Sequence, residues 1–241
     1  MGEIKVSNKQ VVIPGEVLAE GMDYVPTGSA YREEDKILSM QTGLVEVSNR
    51  VIKVIPLSGP YFPREGDTII GRISDVLLSG WRVEMNTAYE AILPVKDAVN
   101  EFVGRGADLS KFFDIGDLIF CSVSRVTSQM LIDLSMKDRN SRKLFGGRLL
   151  GIAPVKIPRV IGKKASMVAM LKNATGCKVY VGKNGLIWID GDPKMEQVLV
   201  KALQMIDEQA HTSGLTERVK KFLEKETGNK IGDNDELQQK N

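Results

Sequence analysis

The chain has 241 residues, of which 42% are hydrophobic and 27% are charged, enough for two or three small domains with hydrophobic cores. Its net charge of only +2 excludes a histone-like polycation, so any nucleic-acid surface must come from local clusters of basic residues. The two cysteines, Cys121 and Cys177, form no CxxC pair, which excludes a zinc ribbon and argues against a disulfide framework.

The first 62 residues have the pattern of a small β domain. Four short apolar runs separated by turn residues predict strands: Lys9–Ile13, Lys36–Met40, Gly43–Val47 and Arg50–Pro56. Apolar and polar residues alternate over Val51–Ile55, as expected of a half-buried strand, whereas Gly21–Ala30 is predicted to be a loop. We expect a β barrel or sandwich that contacts a partner protein, because this segment has neither a basic nor a catalytic cluster.

A domain boundary is predicted at Leu57–Glu65, which contains Pro60 and Pro63. Beyond it, five apolar segments predict strands: Gly66–Ile73, Gly80–Met85, Tyr89–Pro94, Leu118–Val126 and Leu131–Ser135. Five short strands separated by such turns predict a closed or partly open barrel of the OB type.

An OB groove can hold a single strand of nucleic acid by charge and by an aromatic or guanidinium plane. Four residues of the predicted barrel are candidates for this role: Arg72, Trp81, Arg82 and Arg125. Two alternatives stay open for them, because Trp81 could instead fill the barrel core and the arginines could simply be solvated. Between two strands, Val95–Phe113 is predicted to be a long loop, and Arg105, flanked by glycines, is a further candidate RNA contact.

The segment Lys137–Arg148 is rich in basic residues, and we interpret it as a linker that is helical in its first half. A third domain is predicted from Leu149. Its predicted elements are a short strand at Val155–Ile157, a helix that includes Met167–Leu171, and strands at Cys177–Val181 and Leu186–Asp190.

Two more helices are predicted at the end of this domain. The pair Asp192-Pro193 is a helix start signal, and a second helix of about Leu215–Thr227 follows Gly214. Residues 228–241 are predicted to be a disordered polar tail.

The strongest basic cluster lies in the third domain. Between Lys156 and Asp190 the only acid is Asp190 itself. Gly162 would let backbone N–H groups approach a phosphate, and Lys163 and Lys164 would add charge. The alternative is an ordinary glycine-containing loop before a solvated helix.

Two motifs in this domain resemble known ones. Gly162-Lys163-Lys164-Ala165 resembles the Gly-x-x-Gly loop of a KH domain, which clamps the backbone of a few nucleotides, with Ala165 in the fourth position. Gly182-Lys183-Asn184-Gly185 resembles the Gly-x-Asn-Gly turn of the KH domain of exosome cap proteins, although it also fits a simple hairpin turn. This resemblance adds Lys183 and Asn184 to the candidate RNA contacts.

The barrel resembles an S1 RNA-binding domain. The residues that carry the resemblance are Gly66-Asp67, the turn at Gly80, Ala91–Pro94, Gly116-Asp117 and Ile132–Ser135. The whole chain is similar to the RNA-binding cap subunit of the archaeal exosome, the ribosomal RNA-processing protein four family. The resemblance implies a multidomain protein, mainly β plus α+β, with an N-terminal β domain at 1–62, an S1 domain at 63–138, a KH domain at 149–227 and the tail.

The resemblance also implies a role without chemistry, cofactor or metal. Three copies would form a cap on a hexameric ring of phosphorolytic exoribonuclease subunits, and the second, zinc-ribbon cap protein is a further candidate partner. The N-terminal domains would dock on the ring, and the S1 barrels would surround its pore. The chain would bind single-stranded RNA and feed it 3′ end first to the active sites of the ring.

Other classes of protein remain as alternatives. One is a free-standing S1/KH regulator of transcription or translation, and another is an enzyme that acts alone. The sequence shows no P-loop, paired-carboxylate cleft or metal cluster, and its sole histidine is His211. It also shows no membrane-spanning window or signal peptide, so we expect a cytoplasmic protein.

Overall fold

The computed structural model describes residues 2–99, 101, 103–104, 106–210, 212 and 214–228. Arg105, His211 and the predicted tail beyond Gly228 lie outside the described residues. The chain divides into two compact units, Met1–Pro60 and Tyr61–Asn241. No helix in the described part of the chain is both long and apolar enough to cross a membrane.

The first unit is a sandwich of two four-stranded sheets. Its strands are β1 (Glu3–Ile4), β2 (Val11–Val12), β3 (Val17–Glu20), β4 (Val25–Gly28), β5 (Ala30–Glu33), β6 (Lys36–Ser39), β7 (Gly43–Ser48) and β8 (Val51–Pro56). The sheets have the orders β1-β3-β6-β5 and β2-β7-β8-β4. The predicted alternation is confirmed in β8, where Ile52 and Val54 are buried and their neighbours are exposed. Both sheets contribute to one core, which includes Leu18, Ile37 and Val45.

The prediction of a loop at Gly21–Ala30 is wrong. This segment contains β4, which pairs in parallel with β8. Pro26 interrupts the strand pattern in the sequence, but β4 lies at the edge of its sheet, where a residue without an N–H donor is tolerated.

The second unit begins with the predicted OB-type barrel. Its strands are β9 (Thr68–Leu77), β10 (Gly80–Glu84), β11 (Glu90–Pro94), β12 (Leu118–Val126) and β13 (Ile132–Ser135), and the four-residue helix α1 (Val95–Ala98) follows β11. The strand order is β13-β11-β10-β9-β12, and β13 also pairs with β12, which closes the barrel. The inward side chains, among them Ile73, Val83 and Leu93, form its core. All five strand predictions for this barrel are confirmed, with shifts of up to four residues at their ends.

The basic segment after the barrel is not helical, contrary to the prediction. It contains a short strand, β14 (Arg142–Leu144), which adds to the edge of β12. Leu144 is buried there with Ile70, Phe120 and Trp188. Burial of this one apolar side chain and the backbone pairing with β12 outweigh the helical preference of the charged residues around it.

The C-terminal part of the second unit is an α+β module. Its elements are β15 (Arg148–Gly151), α2 (Ile157–Ile161), α3 (Ser166–Thr175), β16 (Lys178–Val181), β17 (Leu186–Asp190), α4 (Pro193–Gln209) and α5 (Leu215–Thr227). The sheet is antiparallel with the order β15-β17-β16. Helices and sheet share one apolar core, which includes Leu171, Ile189, Leu203 and Val219.

Most of the predictions for this module are confirmed. Helix α4 starts as predicted, because the Asp192 carboxylate accepts a hydrogen bond from the Lys194 N–H at 2.9 Å. The predicted strand at Val155–Ile157 is wrong, since a 3₁₀ turn at Pro154–Lys156 runs into α2. Pro154 and Pro158 each occupy the first turn of a helical segment, where the missing N–H has no intrahelical partner to lose.

Candidate nucleic-acid interface

The glycine loop lies between α2 and α3 and presents its two lysines to solvent. Gly162 ends α2 with φ 75° and ψ 174°. A Cβ atom at this position would lie 2.7 Å from both N and Cβ of Met167, so the backbone path requires glycine. Lys163 and Lys164 follow as exposed residues, and the loop therefore offers two cations next to open backbone.

Ala165, the last residue of the loop, has the left-handed conformation with φ 61° and ψ 21°. Lys164 before it is also left-handed, with φ 50° and ψ 36°. A non-glycine residue in this region costs about 1–2 kcal/mol. The fourth loop position thus has the backbone geometry that glycine adopts without strain, although its residue is alanine.

A cavity of about 520 Å³ opens beside this loop. Arg159, Lys163 and Ser166 line one side, and Thr212 and Thr216 line the side next to α5. Its described lining residues include no carboxylate. Two cations and three hydroxyl groups around such a space fit a sugar–phosphate backbone better than a neutral or cationic ligand.

Trp81 fills the barrel core and is not a surface contact for RNA. Its side chain is fully buried, and its indole N–H donates to the Phe113 carbonyl oxygen at 2.8 Å. The Trp81 and Phe113 rings also pack edge to face, with their centroids 5.1 Å apart. Strand alternation explains this, because Trp81 and Val83 point inward on β10 while Arg82 points outward. Trp81 therefore offers no surface to RNA.

The barrel arginines differ in how far their charge is neutralised. Arg82 lies 3.8 Å from Asp75 and 3.4 Å from Glu90, so two carboxylates offset its charge. Arg72 and Arg125 are exposed on β9 and β12, and neither forms an ion pair with another described residue. These two remain the barrel candidates that are freest to contact a phosphate.

Asn184 is buried between the barrel and the C-terminal module, contrary to its prediction as an RNA contact. Its side-chain N–H groups donate to the carbonyl oxygens of Ile70 at 2.7 Å and Met85 at 2.8 Å. Its side-chain oxygen accepts from the Ile70 N–H at 3.3 Å. With no exposed surface, Asn184 is a structural residue that attaches the turn between β16 and β17 to the barrel.

Lys183 adds a second contact between the β16–β17 turn and the barrel. Its ammonium group lies 2.7 Å from the Asp67 carboxylate, which also accepts a hydrogen bond from the Tyr61 hydroxyl at 2.7 Å. Burial, and then the hydrogen bond to Asp67, raise the pKa of Tyr61 well above its ordinary value, so this hydroxyl stays a donor. The Lys183 side chain is 47% exposed, but its charge is already paired with Asp67.

One further cationic cluster was not indicated by any pattern in the sequence. The Arg142 guanidinium lies 5.3 Å from the centre of the Tyr180 ring, and the Lys172 ammonium lies 5.7 Å from it. Arg142 is far from the other two residues in the sequence, and the fold brings it close to Tyr180 of β16. Only the fold itself could have revealed this cluster.

The described residues contain no group of three or more His, Cys, Asp or Glu residues able to hold a metal ion. Cys121 and Cys177 are free, buried thiols, and burial raises the pKa of both. A thiol with a raised pKa is a poor nucleophile near neutral pH.

A closed OB-type barrel joined to a module that presents a basic glycine loop defines a class of protein, the RNA-binding proteins built on an S1 barrel. Comparison with models of protein families supports this class. Residues 9–58 match the model described as "Exosome RNA binding protein RRP4 N-terminal domain". Residues 60–125 match "RRP4, S1 domain".

Similar proteins extend this match over most of the chain. The exosome complex component Rrp4 of Methanothermus fervidus is 44% identical over 218 residues, which cover 90% of this chain and 96% of that protein. Rrp4 of Thermococcus kodakarensis is 42% identical over 227 residues, covering 92% and 88%. A crystal structure provisionally described as an exosome complex RNA-binding protein is 35% identical, with a TM-score of 0.63, and covers 70% of this chain and 97% of that one. The chain belongs to the Rrp4 family of exosome components.

Proposed function

We propose that this chain is a non-catalytic subunit that binds single-stranded RNA and feeds it, 3′ end first, to a phosphorolytic exoribonuclease ring. One observation carries the proposal: a glycine loop with two exposed lysines borders a cavity whose described lining residues include no acid. Such a surface binds the phosphate backbone without reading bases. A subunit that must pass RNAs of many sequences needs this kind of contact.

The C-terminal module is best interpreted as a KH domain. Its order of elements supports this, because β15 is followed by α2 and α3, then by β16, β17 and α4, with the Gly162 loop between the two short helices. In a KH domain that loop clamps the backbone of a few nucleotides. We place the domain at 149–227, the S1 domain at 63–138 and the N-terminal domain at 1–62.

The N-terminal domain would dock on the ring, with three copies forming a cap. Several large apolar side chains are exposed on this unit: Val11, Ile13, Met22, Met40 and Leu57. A continuous patch of exposed apolar side chains marks a protein contact, and we infer that these side chains form such a patch on the docking surface. The second cap protein of the family would share the ring, and the free thiols fit a reducing cytoplasm.

Reconstitution with the phosphorolytic ring tests the proposal. A single-stranded RNA labelled at its 5′ end is incubated with phosphate and the ring, in the presence or absence of the chain. We expect the chain to co-elute with the ring and to accelerate shortening from the 3′ end, while the chain alone shortens nothing.

Two results would reject this function. Shortening by the purified chain without the ring would make it an enzyme. Tight RNA binding by a chain that never co-elutes with the ring would favour a free-standing regulator.

A further inference from the structure

The Tyr180 ring lies where the barrel and the C-terminal module meet, and each part contributes a cation to it. Arg142 comes from β14, which belongs to the barrel sheet, and Lys172 comes from α3 of the C-terminal module. Their distances to the ring centre are 5.3 and 5.7 Å, so the two charges lie within about 11 Å of each other. We name Arg142, Lys172 and Tyr180 the junction cluster.

No carboxylate of the described residues neutralises either cation of the junction cluster. Within the described chain, no carboxylate lies within 4 Å of Arg142 or Lys172, and both residues are exposed. Other lysines of the same unit do have acidic partners, such as Lys178 with Asp190 at 3.2 Å. Two like charges close to one ring repel each other, and an anion that contacts both would offset that repulsion.

The rest of the cluster also suits an anion. The Tyr180 hydroxyl forms no hydrogen bond with another residue that the structure describes, and the side chain is only half-buried, so the hydroxyl can donate to a bound oxygen. Guanidinium and ammonium groups are the side chains that bind phosphate oxygens most strongly. Tyr180 also packs against Phe120 and Trp188, with ring centres 5.1 and 5.7 Å apart, which holds the ring in place.

We propose that the junction cluster binds a phosphodiester of single-stranded RNA, with Arg142 and Lys172 on its oxygens and the Tyr180 hydroxyl as a third donor. This inference rests on the proposed function and extends it, because the site is separate from the Gly162 loop. One phosphate held here contacts the barrel and the C-terminal module together. The site is preorganised, since the hydrogen bonds of Asn184 fix β16 and β17 against β9.

The test is the salt dependence of RNA binding by the full chain. The double variant Arg142→Gln/Lys172→Gln is titrated with a single-stranded RNA oligonucleotide at several salt concentrations. We expect the slope of log affinity against log salt to flatten by about 1.4, since each lost contact with a single strand removes about 0.7. Affinity at low salt should fall by about tenfold or more.

The matched control is Lys5→Gln/Lys53→Gln. It removes the same net charge from the first unit, where each lysine is paired with an acid, and it should leave the slope unchanged. Tyr180→Phe keeps the ring and removes the hydroxyl, so it should weaken binding severalfold without changing the slope.

An unchanged slope in Arg142→Gln/Lys172→Gln would overturn this inference. If Lys163→Gln/Lys164→Gln still flattened the slope in that case, the proposed function would stand without the junction cluster. A wild-type chain that failed to bind RNA at low salt would overturn both. A second measurement needs no variant: RNA should shift the ring resonances of Tyr180 in the wild-type chain, and their failure to move would also reject the site.

Discussion

At the scale of single residues, Asn184 shows how a motif that looks functional can be structural. Its amide makes three hydrogen bonds to the backbone of the barrel. Gly182 is needed beside it, because a Cβ atom there would lie 2.3 Å from the Asn184 side-chain oxygen and 2.8 Å from the Ile70 nitrogen. The sequence reveals the motif, but not that the partners of Asn184 lie in another part of the chain.

We predict that Asn184→Ala destabilises the second unit by at least about 2 kcal/mol, because it leaves buried backbone groups without partners. Denaturant unfolding would measure this change. Asn173→Ala is the matched control, since Asn173 is exposed on α3, and it should change the free energy of unfolding by less than about 0.5 kcal/mol. Equal effects of the two variants would contradict the role given to Asn184.

For Ala165 we predict a substitution that raises the free energy of unfolding. We expect Ala165→Gly to stabilise the chain by about 0.5–1 kcal/mol, because relief of the left-handed strain exceeds the entropy that glycine adds to the unfolded state. The same substitution at Ala169, inside α3, should destabilise the chain by about 1 kcal/mol. Thermal unfolding of both variants checks the prediction, which fails if Ala165→Gly is as harmful as Ala169→Gly.

At the scale of elements, the sequence predicts those whose apolar pattern is self-contained. The barrel strands and α3, α4 and α5 each carry their own periodicity, turn residues or caps. The sequence predicts no strand at the positions of β1, β3, β4, β5, β14 and β15. Among these, β4 contains Pro26 and β14 has a single buried residue, Leu144. Each is specified by the neighbouring strand with which it pairs, and local rules do not contain that information.

The Gly162 loop is the element on which RNA binding should depend most directly. Lys163→Gln/Lys164→Gln should reduce affinity similarly for RNAs of different sequence and flatten the salt slope by about 1.4. Fluorescence anisotropy with two unrelated oligonucleotides would measure both effects. Lys201→Gln/Lys221→Gln, on the exposed sides of α4 and α5, removes equal charge and should leave the slope intact. If the two double variants behaved alike, the loop would have no direct contact with RNA.

At the scale of the whole molecule, the division into two compact units after Pro60 gives a clean test of the proposed roles. A fragment of residues 61–241 keeps Tyr61, whose hydroxyl binds Asp67, and should fold and bind RNA with an affinity close to that of the full chain. We expect it to lose co-elution with the ring. A fragment that still co-elutes would place the docking surface outside the first unit.

The sequence predicts the order of the three domains more accurately than it predicts which residues are free to contact RNA. Arg72, Arg125, Lys163 and Lys164 are exposed, as contact with RNA requires. Trp81 and Asn184 are buried, and the charges of Arg82 and Lys183 are paired with acids. Residue type and spacing indicate which side chains could bind RNA, but burial and pairing are decided by contacts that are distant in the sequence.

The hydrogen-bonded attachment of the β16–β17 turn to β9 has a consequence for how long a ligand must be. Because the barrel and the Gly162 loop are held at a fixed separation, an oligonucleotide too short to span them can use only one of the two surfaces. Affinity should therefore rise in a step as the RNA is lengthened one nucleotide at a time, since the second contact becomes intramolecular. The chain would then bind tightly only those RNAs whose free 3′ tail is long enough to reach both surfaces. A gradual rise in affinity without a step would show that the two surfaces bind RNA independently.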